Sequence, residues 1–384
     1  MKSEAGRLEV TTTAGTGSPL WGRAQQQEFR ARVRGCLLGG AIGDALGAGI
    51  EFESLSAIRS QHGPEGVRDY VRAYGRRGAI TDDTQLTLFT AEGLIRAQVC
   101  REPSGAWHPA AEVHRAYLRW AATQRDWGPD EREPDTGWLA REEWLYARRA
   151  PGEACLSGLA DERMGTLQDP RNPRSKGCGA VMRSAPFGLL AGWEPEQVFQ
   201  LAVECAVLTH GHPTGALSAG AFAAVVHFLV RGEDLPSAVR EAMALLATRP
   251  GHEETTEALR QALTTVRQGL PTPERVESLG QGWVAEEALA MGVYCALVAE
   301  DVQHGLLLAV NHGGDSDSTG SLCGNLLGAL HGETALPAGW LAELEGRATI
   351  LELADDFAME LTQGPSLHGP LDTSAAWLAR YPRS

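Results

Sequence analysis

Asp315 and Asp317 stand two apart in "AVNHGGDSDSTGSLCGNLLGALHG" (residues 309–332), between paired glycines and a row of hydroxyls. A run of small and apolar residues follows at once. Buried carboxylates are costly unless something neutralises them. Side-chain oxygens at this density suit a hard divalent cation. The stretch begins like an EF-hand loop, with Asp315, Asp317, Thr319 and Gly320 at loop positions 1, 3, 5 and 6. The loop's position 12 needs a bidentate Glu and is Leu326 here, so the EF-hand reading fails. Asp and Ser are also ordinary helix N-caps, and for this stretch alone that simpler reading stays open.

A second oxygen-rich helix start lies far earlier, in "ITDDTQLTL" (80–88). Thr81, Asp82, Asp83 and Thr84 put adjacent carboxylates and hydroxyls in a first turn, where the helix dipole favours negative charge. Plain capping again competes. Taken together, the two stretches supply four aspartates plus hydroxyls. That set suits one or two octahedral Mg²⁺ or Mn²⁺ ions, with water or substrate completing the shell. All-oxygen ligation disfavours zinc and copper.

The elements that must position these residues are helical. Apolar residues recur at helical spacing from about residue 27 onward, and convincing period-2 strands are nearly absent. The expected fold is all-α, one compact domain over 27–384. Residues 1–26 lack apolar periodicity and are expected to form a disordered tail. Gly35, Gly39, Gly43 and Gly47 recur every four residues, as do Gly320, Gly324 and Gly328. Each set makes a bare stripe on one helix face, where another backbone can approach closely. A membrane GxxxG dimer is the rival, and Asp44 and Glu51 in the first segment count against it. The segment 124–175 mixes Trp, Pro and charge, and reads as an irregular insertion able to wall a cleft.

Lys plus Arg number 34 against 49 Asp plus Glu, a net charge of −15. General nucleic-acid binding and docking on anionic membranes are both disfavoured. Seven cysteines, none in a CxxC pair, read as buried small hydrophobes of a reducing compartment. With no apolar leader, a soluble cytoplasmic protein is expected. The most apolar stretch, 215–230, reads as a buried helix.

Five ordered stretches now matter together: "GCLLGGAIGDALGAGIEF" (35–52), "ITDDTQLTL", "SKGCGAVMRSAPFGLL" (175–190), "THGHPTGALSAGAFA" (209–223) and "NHGGDSDSTGSLCGNLLGAL" (311–330). In content and order the chain resembles the ADP-ribosylglycohydrolase family, which includes dinitrogenase reductase-activating glycohydrolase and ADP-ribosylarginine hydrolases. The resemblance implies an all-α, compact orthogonal helical bundle with a dinuclear site for two Mg²⁺ or Mn²⁺ ions in a central cleft. It places Thr81, Asp82, Asp83, Asp315, Asp317 and Ser318 as metal ligands, with Ser318 where the family usually has Thr. It implies Glu51 and Asp135 as catalytic carboxylates. Asp135 lies in "PDTG", where Trp138 replaces the family's Asn. It implies Ser175, Gly177, Gly179 and His210 as ADP-ribose contacts. The implied activity is metal-dependent cleavage of the N-glycosidic bond between ADP-ribose and a modified acceptor, with protein arginine first. The partners are then an ADP-ribosylated protein, or another ADP-ribosylated acceptor, and ADP-ribose as product. Two other readings are carried: a catalytically degenerate ADP-ribose-binding or structural protein, and a metal-dependent phosphoesterase.

Overall fold

The first helix starts four residues earlier than the apolar pattern suggests. Arg23–Gln26 carry no apolar stripe, yet Arg, Ala and Gln are good helix formers. The backbone N–H of Gly22 donates to the side chain of Gln25 at 2.8 Å. Trp21 packs on Phe29 with ring centroids 5.1 Å apart. Residues 21–26 are therefore ordered rather than part of a tail. The computed structural model describes residues 21–101, 107–129, 137–367 and 372–383, so the expected tail at 1–20 lies outside the described residues.

Helices are the regular structure of the described residues. They are α1 (Arg23–Gly47), α2 (Leu55–His62), α3 (Asp82–Val99), α4 (Pro109–Thr123), α5 (Glu153–Gly158) and α6 (Ala185–Gly188). Next come α7 (Pro195–Ala206), α8 (Pro213–Val230), α9 (Leu235–Leu246), α10 (Glu253–Thr265), α11 (Pro273–Glu277) and α12 (Ala285–Leu297). The chain ends with α13 (Val302–Val310), α14 (Ser316–His331), α15 (Ala338–Glu343), α16 (Arg347–Leu367) and α17 (Asp372–Arg380). Among the described residues no strand forms; Ala73–Arg76 and Gly177–Val284 are isolated bridges. The all-α expectation holds.

Helices α1 and α14 pack antiparallel as the central pair, flanked by α3, α12, α13 and α16. The two glycine stripes face each other. A Cβ on Gly35 would lie 2.3 Å from the carbonyl oxygen of Gly328; on Gly39, 2.4 Å from that of Gly324; on Gly43, 1.9 Å from that of Gly320. No side chain fits at any of these crossings. Glycine costs a helix up to about 1 kcal/mol relative to Ala, and the close approach of two buried backbones offsets that cost through dispersion and burial. The stripe runs on to Gly47, whose added Cβ would meet the Asp317 backbone nitrogen at 2.3 Å. The end of α1 is thus carried onto the start of α14.

α8 is the one described helix long and apolar enough to cross a membrane, and in this fold it is almost wholly buried. The 124–175 segment is irregular where described, with short 3-10 turns at Leu139–Arg141 and Glu143–Leu145.

Candidate metal centre

Three chain segments meet at one end of the α1–α14 pair: Asp44 and Glu51 from α1 and the turn after it, Thr81–Thr84 from the start of α3, and Asp315–Ser318 from the start of α14. Carboxylate oxygens of Glu51, Asp315 and Asp317 lie within 4.8 Å of one another. The hydroxyl of Thr81 hydrogen-bonds Asp317. Asp44, Asp82, Asp83, Asp315 and Asp317 are all buried, and Glu51 is partly so.

The plain capping reading separates the two turns. Thr81 does cap α3, its hydroxyl accepting from the Asp83 N–H at 3.3 Å. Asp315 occupies the cap position of α14 and makes no capping bond with its side chain. Oδ2 of Asp83 is buried without a hydrogen-bond partner. A buried, unpartnered carboxylate oxygen is expensive unless a ligand is to meet it.

The electrostatics point the same way. Burial first, and then the charge of Asp317, raise the pKa values of Asp44, Glu51, Asp82, Asp83 and Asp315. Asp44 is pushed up to about 7 and Glu51 to about 10. Asp317 is raised by burial, against hydrogen bonds from Asp315, Thr81 and the Ser318 N–H that favour its charge. No cationic side chain is among the chief influences on any of the six. Six carboxyls in one low-dielectric place, with no cation among their chief influences, fit hard divalent ions with oxygen ligands.

Neighbouring segments hold the turns in place. Asp44 accepts from the Thr81 N–H with both oxygens at 3.0 Å, from the Thr84 N–H at 3.1 Å, and from the Thr84 hydroxyl. The irregular insertion reaches the site: the Asp82 N–H donates to the Arg149 carbonyl at 3.1 Å, and the Gly152 N–H donates to Asp82 Oδ2 at 3.2 Å. Arg149 is fixed by buried Glu345 at 3.1 Å, and Glu345 also accepts from the Ile80 N–H at 3.1 Å.

The glycine-rich loop stands beside this cluster. Lys176 O accepts from the Ala285 N–H at 2.9 Å, and Cys178 N–H donates to Trp283 O at 3.2 Å. His210 lies directly beneath the loop, where a Cβ on Gly179 would come 2.9 Å from its Cε1. Burial, and then Arg183, press its pKa down to about 3, so it is neutral. Its Nδ1 pairs with the Thr209 hydroxyl at 2.8 Å. The Ser175 carbonyl accepts from the His212 N–H at 3.1 Å, tying the loop to the start of α8.

Of the residues singled out from sequence, Glu51, Thr81, Asp82, Asp83, Asp315, Asp317 and Ser318 are brought together, and Ser175, Gly177, Gly179 and His210 form one adjoining unit. Asp135 lies outside the described residues. Two neighbours of the cluster were not singled out. Asp44 was noted only as a charge in an apolar helix. Cys178 was grouped with the buried cysteines, yet its Sγ donates to Asp315 Oδ2 at 2.8 Å and lies 3.6 Å from the Ser318 hydroxyl. Its position between two loop glycines was the available signal.

A model of the ADP-ribosylglycohydrolase family matches residues 25–366. The chain is 26% identical to an ADP-ribosyl-(dinitrogen reductase) glycohydrolase of Rhodospirillum rubrum, over 82% of this chain and 90% of that one. It is 25% identical to an ADP-ribosylarginine hydrolase, Tri1, of Pseudomonas putida, over 85% of this chain and 77% of that one. A solved structure described as an ADP-ribosylglycohydrolase-related protein complex superposes with a TM-score of 0.61 at 25% identity, covering 88% of this chain and 100% of that one.

Proposed function

This chain belongs to the ADP-ribosylglycohydrolase family, and on that premise we propose that it is a divalent-metal-dependent hydrolase that removes ADP-ribose from an ADP-ribosylated protein, with arginine as the modified side chain. The observation that carries the reading is the convergence of six carboxyls from three segments, with a buried oxygen of Asp83 left unpartnered. The arginine assignment is supported by relatives named as an ADP-ribosylarginine hydrolase and as a dinitrogen reductase glycohydrolase.

Thr81, Asp82, Asp83, Asp315, Asp317 and Ser318 would hold two Mg²⁺ or Mn²⁺ ions. Bound there, the ions supply Lewis-acid stabilisation of developing charge and orient the ribose hydroxyls. Glu51 is the group we assign to proton transfer. It is the partly exposed carboxyl of the cluster, and burial, then the charges of Asp317 and Asp315, raise its pKa to about 10. Cleavage breaks the bond from the anomeric carbon to the guanidine nitrogen, and a water oxygen bonds to that carbon. The leaving nitrogen gains a proton and the water loses one, a relay that one carboxyl can serve in both directions. Asp135 is kept as a second candidate from the family resemblance. The glycine loop at Ser175–Gly179, above neutral His210, offers backbone N–H groups for the pyrophosphate. Seven unpaired cysteines support a reducing, cytoplasmic setting.

The test is a panel of acceptors ADP-ribosylated on arginine, serine and nucleic acid, each with Mg²⁺ or Mn²⁺. Free ADP-ribose released from the arginine conjugate, and lost on chelation, is the expected result. No release from any conjugate by metal-replete protein would sink the proposal. AMP or phosphate released in place of ADP-ribose would mark a phosphoesterase.

A further inference from the structure

Exposed aromatic side chains are few in this protein, and they are not scattered. Among the described residues Phe52, Tyr74, Trp127 and Trp283 are exposed, and three of these four surround Glu51. Phe52 follows Glu51 in the chain and is 71% exposed. Its ring stacks on Trp283, with centroids 5.2 Å apart and planes 15° apart. Trp283 is anchored on the opposite side of the site: its carbonyl accepts from Cys178, and its neighbour Gly282 abuts the Cβ of Asp315. Tyr74 sits close enough for Glu51 to be the largest charge acting on its phenol.

Backbone geometry marks the same rim. Phe52 and Tyr74 adopt left-handed φ values of +72° and +48°, and they are two of only four described non-glycine residues that do. Such conformations cost about 1–3 kcal/mol and concentrate where ligands bind. A bulky ring held in a strained turn and left in water gains little from folding alone.

We propose that Phe52 and Trp283, with Tyr74 beside them, form the acceptor subsite, stacking the planar guanidinium of the modified arginine above the carboxylate cluster. The inference rests on the hydrolase reading above and specifies how that site chooses its acceptor. Charge complementarity decides the occupant. Carboxylate oxygens of Glu51, Asp315 and Asp317 lie below the rim, within 4.8 Å of one another. A planar cation gains from both the aromatic faces and the carboxylate charge. A serine acceptor, joined by a neutral O-glycosidic bond, offers neither a plane nor a charge. The chain already uses this contact internally, since the Arg149 guanidinium lies over the Tyr74 ring at 4.8 Å.

The test compares Phe52→Leu and Trp283→Leu with wild type as full-length, metal-replete protein. For an ADP-ribosylarginine substrate, KM should rise about tenfold in each variant, with kcat held within about twofold. The inhibition constant of ADP-ribose, which lacks the acceptor, should not move. Phe52→Tyr and Trp283→Phe should restore the wild-type KM. Agmatine, a guanidinium on a short chain, should show saturation-transfer NMR contact with wild type and lose it in both Leu variants. Unchanged KM in both Leu variants would overturn the proposal. So would an equal loss of ADP-ribose affinity, which would make the rim a platform for the nucleotide. If wild type fails to cleave the arginine conjugate, the arginine assignment falls, while the agmatine contact still decides the rim.

Discussion

Removing the charge of Asp317 should separate a metal centre from a set of caps. Asp317 is the chief charged influence on the five other carboxyls of the cluster. In Asp317→Asn that influence goes, so metal-free protein should melt no lower than wild type. Metal response should diverge sharply. At a hundredfold excess over its dissociation constant, a bound ion adds about 2.7 kcal/mol to the wild-type fold. An unfolding entropy of about 2.1 cal/mol/K per residue makes the whole chain's roughly 0.8 kcal/mol/K, so the rise in Tm is about 3 °C. If the variant binds about a hundredfold more weakly, the same metal concentration adds only about 0.4 kcal/mol, or roughly half a degree. Thermal melting of both proteins in chelator, Mg²⁺ and Mn²⁺ reads this directly. A wild type indifferent to metal, or a variant that rises equally, would refute the argument that these carboxylates exist to hold cations.

Asp44→Asn should behave differently. It would set an amide against the Thr81 and Thr84 N–H donors, with a loss of about 2–4 kcal/mol in urea denaturation at unchanged m-value, with or without metal. Gly43→Ala should be destabilised by about 1–3 kcal/mol or more, because the new Cβ would sit 1.9 Å from the Gly320 carbonyl oxygen; Gly339→Ala, with open space around it, is the control. In chelator, Tm should fall as pH rises. Asp44 and Glu51 are raised on folding from 3.8 and 4.5 to about 7 and about 10, so their contribution is full below about pH 4 and is lost as pH rises through those folded values. Melting between about pH 6 and pH 9 should show that decline in chelator and lose it in Mn²⁺; a flat metal-free profile would refute the like-charge argument.

The two oxygen-rich turns were legible because their chemistry is written in adjacent residues: Thr81–Asp82–Asp83 and Asp315–Ser316–Asp317–Ser318. Asp44 was not, because its partners are backbone N–H groups of a segment almost forty residues away, and a lone acid in an apolar helix has no spacing to interpret. Cys178 was misread for a related reason. Cys178 sits between glycines and is only part-buried, and what its thiol touches is a property of the fold. Phe52 and Trp283 run against the commonest expectation of all, that large rings are inside. Only the strained turn after α1 and the loop before α12 make them a surface. The start of α1 was missed because helix formers with a good cap need no apolar stripe.

The glycine stripes sit between these cases. Their four-residue period was visible, and so was their need for a close partner, but not the register between them. The register is what makes the site. Gly35, Gly39 and Gly43 meet Gly328, Gly324 and Gly320 in antiparallel order, which brings Gly47 against Asp317. Sliding one helix by a single four-residue step would move these ends about 6 Å relative to each other. That exceeds the 4.8 Å within which Glu51, Asp315 and Asp317 now bring their oxygens together. The observed register holds a carboxyl from the turn after α1 within reach of the two that begin α14.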